Sequence, residues 1–251
     1  MYKRQDERSY SQLRPIEVIR GYTKYAPGAI LLKMGGTHVL ATATIENRVP
    51  RHLMGPNNEV KSGWVTAEYA LLPSATHTRN QRERQKLSGR TAEIQRLIGR
   101  SLRACIDLEK LGQHTITIDA DVLQADGGTR CASITAGFLA LHDAISYLIQ
   151  EKALKHSPIL YPIAALSVGI VQGQVVSDLN YHEDQQAEVD ANLVMNARGE
   201  IIELQATGEE ATYTRDQLTQ MLDIGWLGIQ KLIRVQEELM QRPHVYEPPL
   251  Y

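Results

Sequence analysis

The chain holds only two cysteines, Cys105 and Cys131, among its 251 residues. They form no Cys-x-x-Cys pair, and no His/Cys cluster has zinc-ligand spacing, which argues against a zinc module or a disulfide scaffold. Both lie in apolar stretches and read as small buried thiols. No uncharged apolar run approaches membrane-spanning length. The opening MYKRQDERSYSQLRP is charged and has no apolar h-region, so no secretory signal is expected and the chain reads as soluble and cytoplasmic. There is no P-loop of the GxxxxGKS or GxxxxGKT type, and no GxSxG nucleophile elbow, so nucleophilic hydrolysis has no support. A strong net charge is also missing: 27 basic against 29 acidic residues give −2, with a pI near 6.5. Proteins that coat nucleic acid over their whole surface are strongly basic. Any nucleic acid must here meet a local basic patch.

What is present is ordinary for a globular protein: 43% apolar and 22% charged residues, in a length that suits one large domain or two small ones. Two β-prone runs around Gly35-Gly36 signal a hairpin within 28–45. Residues 51–62 read as a loop, and GWVTAEYALLP as an extended segment ending at Pro73. From Ser88, apolar residues recur at helical spacing (Ile94, Leu97, Ile98, Leu102, Cys105, Leu108), with Arg96, Arg100 and Arg103 opposite. HTITIDADVL (114–123) is a strand, and the turn QADGG leads into a helix rich in Ala and Gly. A second sheet is expected from Ile163, with turns at Gly173 and 196–199, followed by a helix whose start, Thr214 to Gln217, has a capping-box pattern. The expectation is an α+β fold: a single domain over 1–242 with mixed sheets and packed helices, and a frayed tail over 243–251.

Three constellations carry chemistry. In Asp126-Gly-Gly-Thr-Arg130, glycines let the backbone approach an anion, the following helix start offers free N–H groups, and Gly128, Thr129 and Arg130 suit phosphate. The alternative is a tight strand-to-helix turn with Arg130 solvated. Residues 79–90 hold Arg79, Arg82, Arg84, Lys86 and Arg90, opposed only by Glu83. Ser88 and Thr91 are available to cap the next helix, placing Arg90 beside a free anion site. The rest reads either as a phosphate-tracking loop or as a solvated charged loop. In the acidic stretch 181–190, Asp184 and Asp190 would lie roughly 20 Å apart on a continuous strand. A turn at QQA, with Asp184 in the loop and Asp190 opening the next strand, would instead bring both to one Mg²⁺. An ordinary acidic hairpin loop remains the alternative. His77 and His142 read as loop and packing residues.

Together these segments resemble the ribonuclease PH family of phosphate-dependent 3′-to-5′ exoribonucleases, which is related to polynucleotide phosphorylase and the exosome ring. The matching segments run in family order: QLRPIEVIRGYTKYAPG, GWVTAEY, LPSATHTRN, SGRTAEIQRLIGRSLRA, TITIDADVLQADGGTRCASITAG, AALSVGIV, the acidic stretch and ELQATGE. The resemblance implies phosphate binding by Arg90, Gly128, Thr129 and Arg130. It implies RNA binding by Arg79 and Arg82, and metal binding and catalysis by Asp184 and Asp190. It further implies Mg²⁺ or Mn²⁺, inorganic phosphate as co-substrate, RNA 3′ ends (transfer-RNA precursors) as substrate, a hexamer built as a trimer of dimers, and a βαβα-type fold with a left-handed crossover. Three departures stand out. Ser74 replaces an arginine, the loop MGPNNEVKSG is longer, and Arg84 replaces a small residue. A silent RNA-binding ring subunit and a metal-dependent hydrolase are the competing functions.

Overall fold

The computed structural model describes residues 2–57, 59–83, 86–208, 211–244 and 246. Strands β1 (Ile16–Arg20), β2 (Gly28–Met34), β3 (Thr37–Glu46) and β4 (Trp64–Leu71) come first. They lead to α1 (Gly89–Ala104), α2 (Leu108–Leu111), β5 (Thr115–Gln124) and α3 (Thr129–Gln150). The second half runs β6 (Ile163–Val171), β7 (Gln174–Ser177), α4 (Tyr181–Gln185), β8 (Ala187–Asn196), β9 (Ile201–Gly208) and α5 (Arg215–Met240).

Alternating apolar residues make β3 and β5 half-buried strands: Val39, Ala41 and Ala43 face inward beside Ile116, Ile118, Ala120 and Val122. The first sheet has the order β1-β2-β3-β5-β4, and the second β7-β6-β8-β9. Pairing is antiparallel except between β4 and β5, which are parallel and joined through α1 and α2. The expected α+β architecture, with its hairpins at Gly35-Gly36, Gly173 and 196–199, is what forms.

Helix α3 touches strands of both sheets, and one continuous apolar cluster runs from Ile30 and Val65 through Phe138 to Leu166 and Ile233. Small residues permit this depth. A Cβ on Gly28 would stand 2.0 Å from the Ala140 carbonyl oxygen, so β2 meets the α3 backbone directly. Although α3 has the length and apolarity to cross a membrane, 78% of its apolar window is buried inside the protein. Helix α1 seats Ile94, Leu97, Ile98 and Leu102 against the core, each contributing about 2 kcal/mol of burial.

Three local expectations change. The helix begun at Ser88 stops at Ala104, and Leu108 belongs to α2, which Asp107 caps. The 51–62 loop contains one 3-10 turn, Arg51–Leu53, and a bridge between Met54 and Val60. The acidic stretch is not a hairpin loop: 181–185 form α4, and β8 starts at Ala187, so Asp190 lies inside a strand. The reason is local, because Asn180 and Glu183 form a reciprocal capping box that nucleates the turn. In the tail, Tyr246 donates to the Tyr25 carbonyl at 2.8 Å, and His244 approaches Asp143; the other tail residues from 245 on lie outside the described residues.

Candidate active site

The turn from β5 into α3 needs its glycines. Gly127 and Gly128 have φ of +74° and +66°. A Cβ on Gly127 would meet the Leu179 carbonyl oxygen at 2.5 Å. Gly128 is the N-cap of α3 and supplies no side-chain cap, so the first-turn N–H groups of a 22-residue helix open onto this turn.

Tyr69 reaches the turn from β4, its hydroxyl 2.9 Å from Thr129 Oγ1. Tyr69 is buried, which raises its phenol pKa; the Thr129 hydrogen bond and the charges of Arg90 and Arg130 pull it down. Two guanidiniums from two different helices thus act on one hydroxyl. Arg90 is the second residue of α1 and is exposed. Its helix starts where the sequence places it: Ser88 Oγ accepts from the Thr91 amide at 3.1 Å. Glu83 accepts from the Ser88 amide at 3.1 Å and from the Thr91 hydroxyl at 3.0 Å. Hydrogen bonding from Ser88, side chain first and then amide, holds its carboxyl below the usual range, and Thr91 adds less. The acid within the basic run is therefore engaged at the helix start.

Arg130 Nη2 lies 3.7 Å from Glu93, which also accepts from Gln205 at 3.0 Å and so links α1, α3 and β9. Arg130 Nε is buried and has no hydrogen-bond partner among the described residues. A buried N–H of this kind is costly until an acceptor arrives, and a phosphate oxygen is a fitting acceptor.

The carboxylates approach from the other side. Asp184 is exposed on α4; Asp190 is half-buried on β8 and faces the same side as Asn192. Asn192 accepts from the buried Cys131 thiol at 3.3 Å. Burial pushes that thiol up most; Asp190 adds to it, Arg130 opposes, and Asp178 and Asp184 add less. The buried thiol, the third residue of α3, thus feels the charge of both carboxylates and of Arg130. Among the described residues no three or more His, Cys, Asp or Glu cluster as metal ligands. Two carboxylates offering oxygen alone fit a hard cation that completes its shell with water and substrate, and do not fit zinc.

Arg79 and Arg82 are exposed on the segment after β4. That segment is tied to the turn by the Ala125 amide donating to the Ala75 carbonyl at 2.8 Å, and to α4 by the His77 ring, 5.2 Å from that of Tyr181. Arg82 acts on Asp121, whose carboxyl burial holds up and Arg82 lowers. Arg84 lies outside the described residues. Both cysteines are free and buried, and burial raises the Cys105 thiol to about 12. The sequence reading missed Tyr69, Glu93 and a buried network of Arg4, Arg8 and Arg14 against Asp178 and Glu183. The signal for Tyr69 was present in GWVTAEY; the network has no local signature.

A glycine turn that opens onto free N–H groups at the start of a core helix, with arginines from two helices and a carboxylate pair near it, defines an α+β protein with a concentration of opposite charges at the start of α3. Domain 1 of the 3′ exoribonuclease family matches residues 12–145, and domain 2 matches residues 161–226. The chain belongs to the 3′ exoribonuclease family. Ribonuclease PH of Synechococcus sp. (strain JA-2-3B'a(2-13)) is 55% identical over 242 residues, covering 95% of this chain and 98% of that one. Ribonuclease PH of Crocosphaera subtropica is 50% identical over 241 residues, covering 96% and 99%. Among solved structures, rice (Oryza sativa) Rrp46 superposes with a TM-score of 0.76 at 20% identity, covering 95% of this chain and all of that one. The Archaeoglobus fulgidus exosome with RNA bound to the active site has a TM-score of 0.76 at 20% identity, covering 94% and 92%. At these identities the structural likeness speaks for the fold.

Proposed function

We propose that this chain is a phosphorolytic 3′-to-5′ exoribonuclease that releases the terminal nucleotide of RNA as a nucleoside 5′-diphosphate. The observation that carries this reading is the buried Arg130 Nε, without a hydrogen-bond partner among the described residues, at the start of α3, which has no side-chain cap and where Arg90 and Arg130 both act on the tyrosine that holds Thr129. Inorganic phosphate is seated by Arg90, Arg130, the Thr129 hydroxyl and the backbone N–H groups of Gly127 and Gly128. Its oxygen attacks the last phosphodiester phosphorus in line. A new P–O–P bond forms, the bond from phosphorus to the penultimate 3′ oxygen breaks, and that oxygen takes a proton to become the new 3′ hydroxyl. One phosphodiester bond is exchanged for one phosphoanhydride, so the reaction runs in both directions.

Arg90 and Arg130 hold the nucleophile in place and offset the charge that builds up as two anions meet. Asp184 and Asp190 would hold a Mg²⁺ or Mn²⁺, which when bound supplies positive charge beside the scissile phosphate. Arg79 and Arg82 track the RNA backbone near its 3′ end. The substrate class is transfer-RNA precursors, and the compartment is the cytoplasm. The assembly is a hexamer, which would cover exposed apolar residues such as Ile19, Tyr22, Leu160 and Leu227. The deciding experiment follows short RNA cleavage with labelled inorganic phosphate. Label in nucleoside diphosphates supports phosphorolysis; unlabelled monophosphates would mean that water is the nucleophile.

A further inference from the structure

The N-terminal segment plays no part in the site described above, yet its arginines reach both halves of it. Arg14 is buried, and its guanidinium meets buried Asp178 through Nη2 at 2.7 Å and Nε at 3.1 Å, while its amide donates to the same carboxylate at 2.7 Å. The other edge of the guanidinium faces the glycine turn. Nη1 donates to the Asp126 carbonyl and Nη2 to the Gly127 carbonyl at 3.5 Å. Thr37 completes the hold: its hydroxyl donates to the Gly127 carbonyl at 2.6 Å and accepts from the Asp126 amide at 3.0 Å.

The consequence follows from peptide geometry. In a trans peptide the C=O and the next N–H point in opposite directions. The chain has no cis peptide among the described residues. Turning the carbonyls of Asp126 and Gly127 toward Arg14 and Thr37 therefore turns the amides of Gly127 and Gly128 away from them. Those two amides immediately precede Thr129, and rotating either peptide would remove an anion donor without moving any side chain named in the cradle.

The same network carries the acidic side. Asp178 has φ of +53°, a conformation Asp tolerates better than most residues, and its carbonyl accepts from Arg4 at 2.9 Å and Arg8 at 3.1 Å. Arg4 grips Glu183 with Nε and Nη2, both at 2.7 Å. Glu183 is the neighbour of Asp184 and closes the capping box that forms α4. Asp126 links the two sides, accepting from the Tyr181 amide at 3.1 Å.

We propose that Arg14, with Thr37 and Asp178, is a positioning device that sets the backbone amides of the phosphate turn in register with the acidic helix. The proposal rests on the phosphate reading given above. Arg14 touches no reacting group; it acts through the peptides of Asp126 and Gly127.

Steady-state phosphorolysis of Arg14→Lys, Thr37→Val and Thr37→Ser tests it, with phosphate and RNA varied separately and melting temperature recorded. Lysine keeps the charge but lacks the planar fork that spans Asp178 and both carbonyls. The expected result is a KM for phosphate raised roughly tenfold in Arg14→Lys and roughly fivefold in Thr37→Val. The KM for RNA should stay near that of the parent, and Thr37→Ser should restore the phosphate KM. Thr37→Val loses no charge, so it reports even where Arg14→Lys folds poorly. A lower melting temperature with an unchanged phosphate KM below the transition would overturn the proposal in favour of a purely structural role. Arg130→Ala, assayed in parallel, separates the two readings. If it raises the phosphate KM while Thr37→Val does not, the phosphate site stands and the positioning device fails. If Arg130→Ala leaves the phosphate KM unchanged, the underlying phosphate reading fails.

Discussion

Tyr69 and Thr129 meet hydroxyl to hydroxyl at 2.9 Å, joining β4 to the first residue of α3. The contact orients the threonine hydroxyl that is proposed to meet phosphate. Tyr69→Phe removes one hydrogen bond and keeps the ring in the core. The expected outcome is a phosphate KM raised about fivefold, the value of a bond worth about 1 kcal/mol, with RNA affinity and melting temperature nearly unchanged. Phosphate titrations on the variant check it; an unchanged phosphate KM would mean that Thr129 is held by other means.

The basic segment predicts a salt effect. Single-stranded RNA releases about 0.7 counterion per neutralised phosphate. Replacing both Arg79 and Arg82 with alanine should flatten the slope of log affinity against log salt by about 1.4. Filter binding across a salt series measures this directly, and a parallel shift with the same slope would show that the two arginines do not touch the backbone.

Asp119 on β5 gives a pH prediction. Burial, then Glu68 and Asp121, push its carboxyl up to about 6 from an ordinary 3.8. Folding thus strengthens proton binding at this group. The resulting penalty is fully present above pH 6 and disappears as pH falls through 3.8. Asp119→Asn should therefore melt higher than the parent at about pH 7.5 and lose that advantage near pH 3.5. A gain that persists at the lower pH would assign the effect to packing.

Asp184 and Asp190 predict non-additive losses. Either Asp-to-Asn change keeps size but removes the charge that would hold a divalent cation. Each single variant should lose most turnover, and the double variant little more, because groups acting through one ion do not add. Turnover, melting and sedimentation on the three variants separate this from a structural role, which would lower melting and leave residual activity near normal.

Much of the fold was legible because its cues are local. Alternation marks β5, a helical period marks α1, and Thr214 with Gln217 announces α5 through its capping box. The glycine turn and its arginine were legible for the same reason. What could not be read depends on distant pairs: Tyr69 with Thr129 across 60 residues, and Arg4 with Glu183 across 179. Side-chain periodicity carries no information on such partners. The acidic stretch failed differently. Its turn was foreseen, but the Asn180–Glu183 box made a short helix where a loop was expected, and moved Asp184 onto it. The early stop of α1 follows from Cys105, whose backbone leaves the helical region before Leu108 can continue the period.

The central claim is that the cradle at the start of α3 holds the phosphate nucleophile, and Arg130→Ala tests it most directly. Nucleoside diphosphate release is measured against phosphate concentration at saturating RNA, with RNA binding measured separately without phosphate. Losing a charge-assisted contact should raise the phosphate KM roughly tenfold or more and leave RNA binding nearly unchanged. An equal loss of RNA binding with an unaltered phosphate KM would place Arg130 on the RNA and contradict the account.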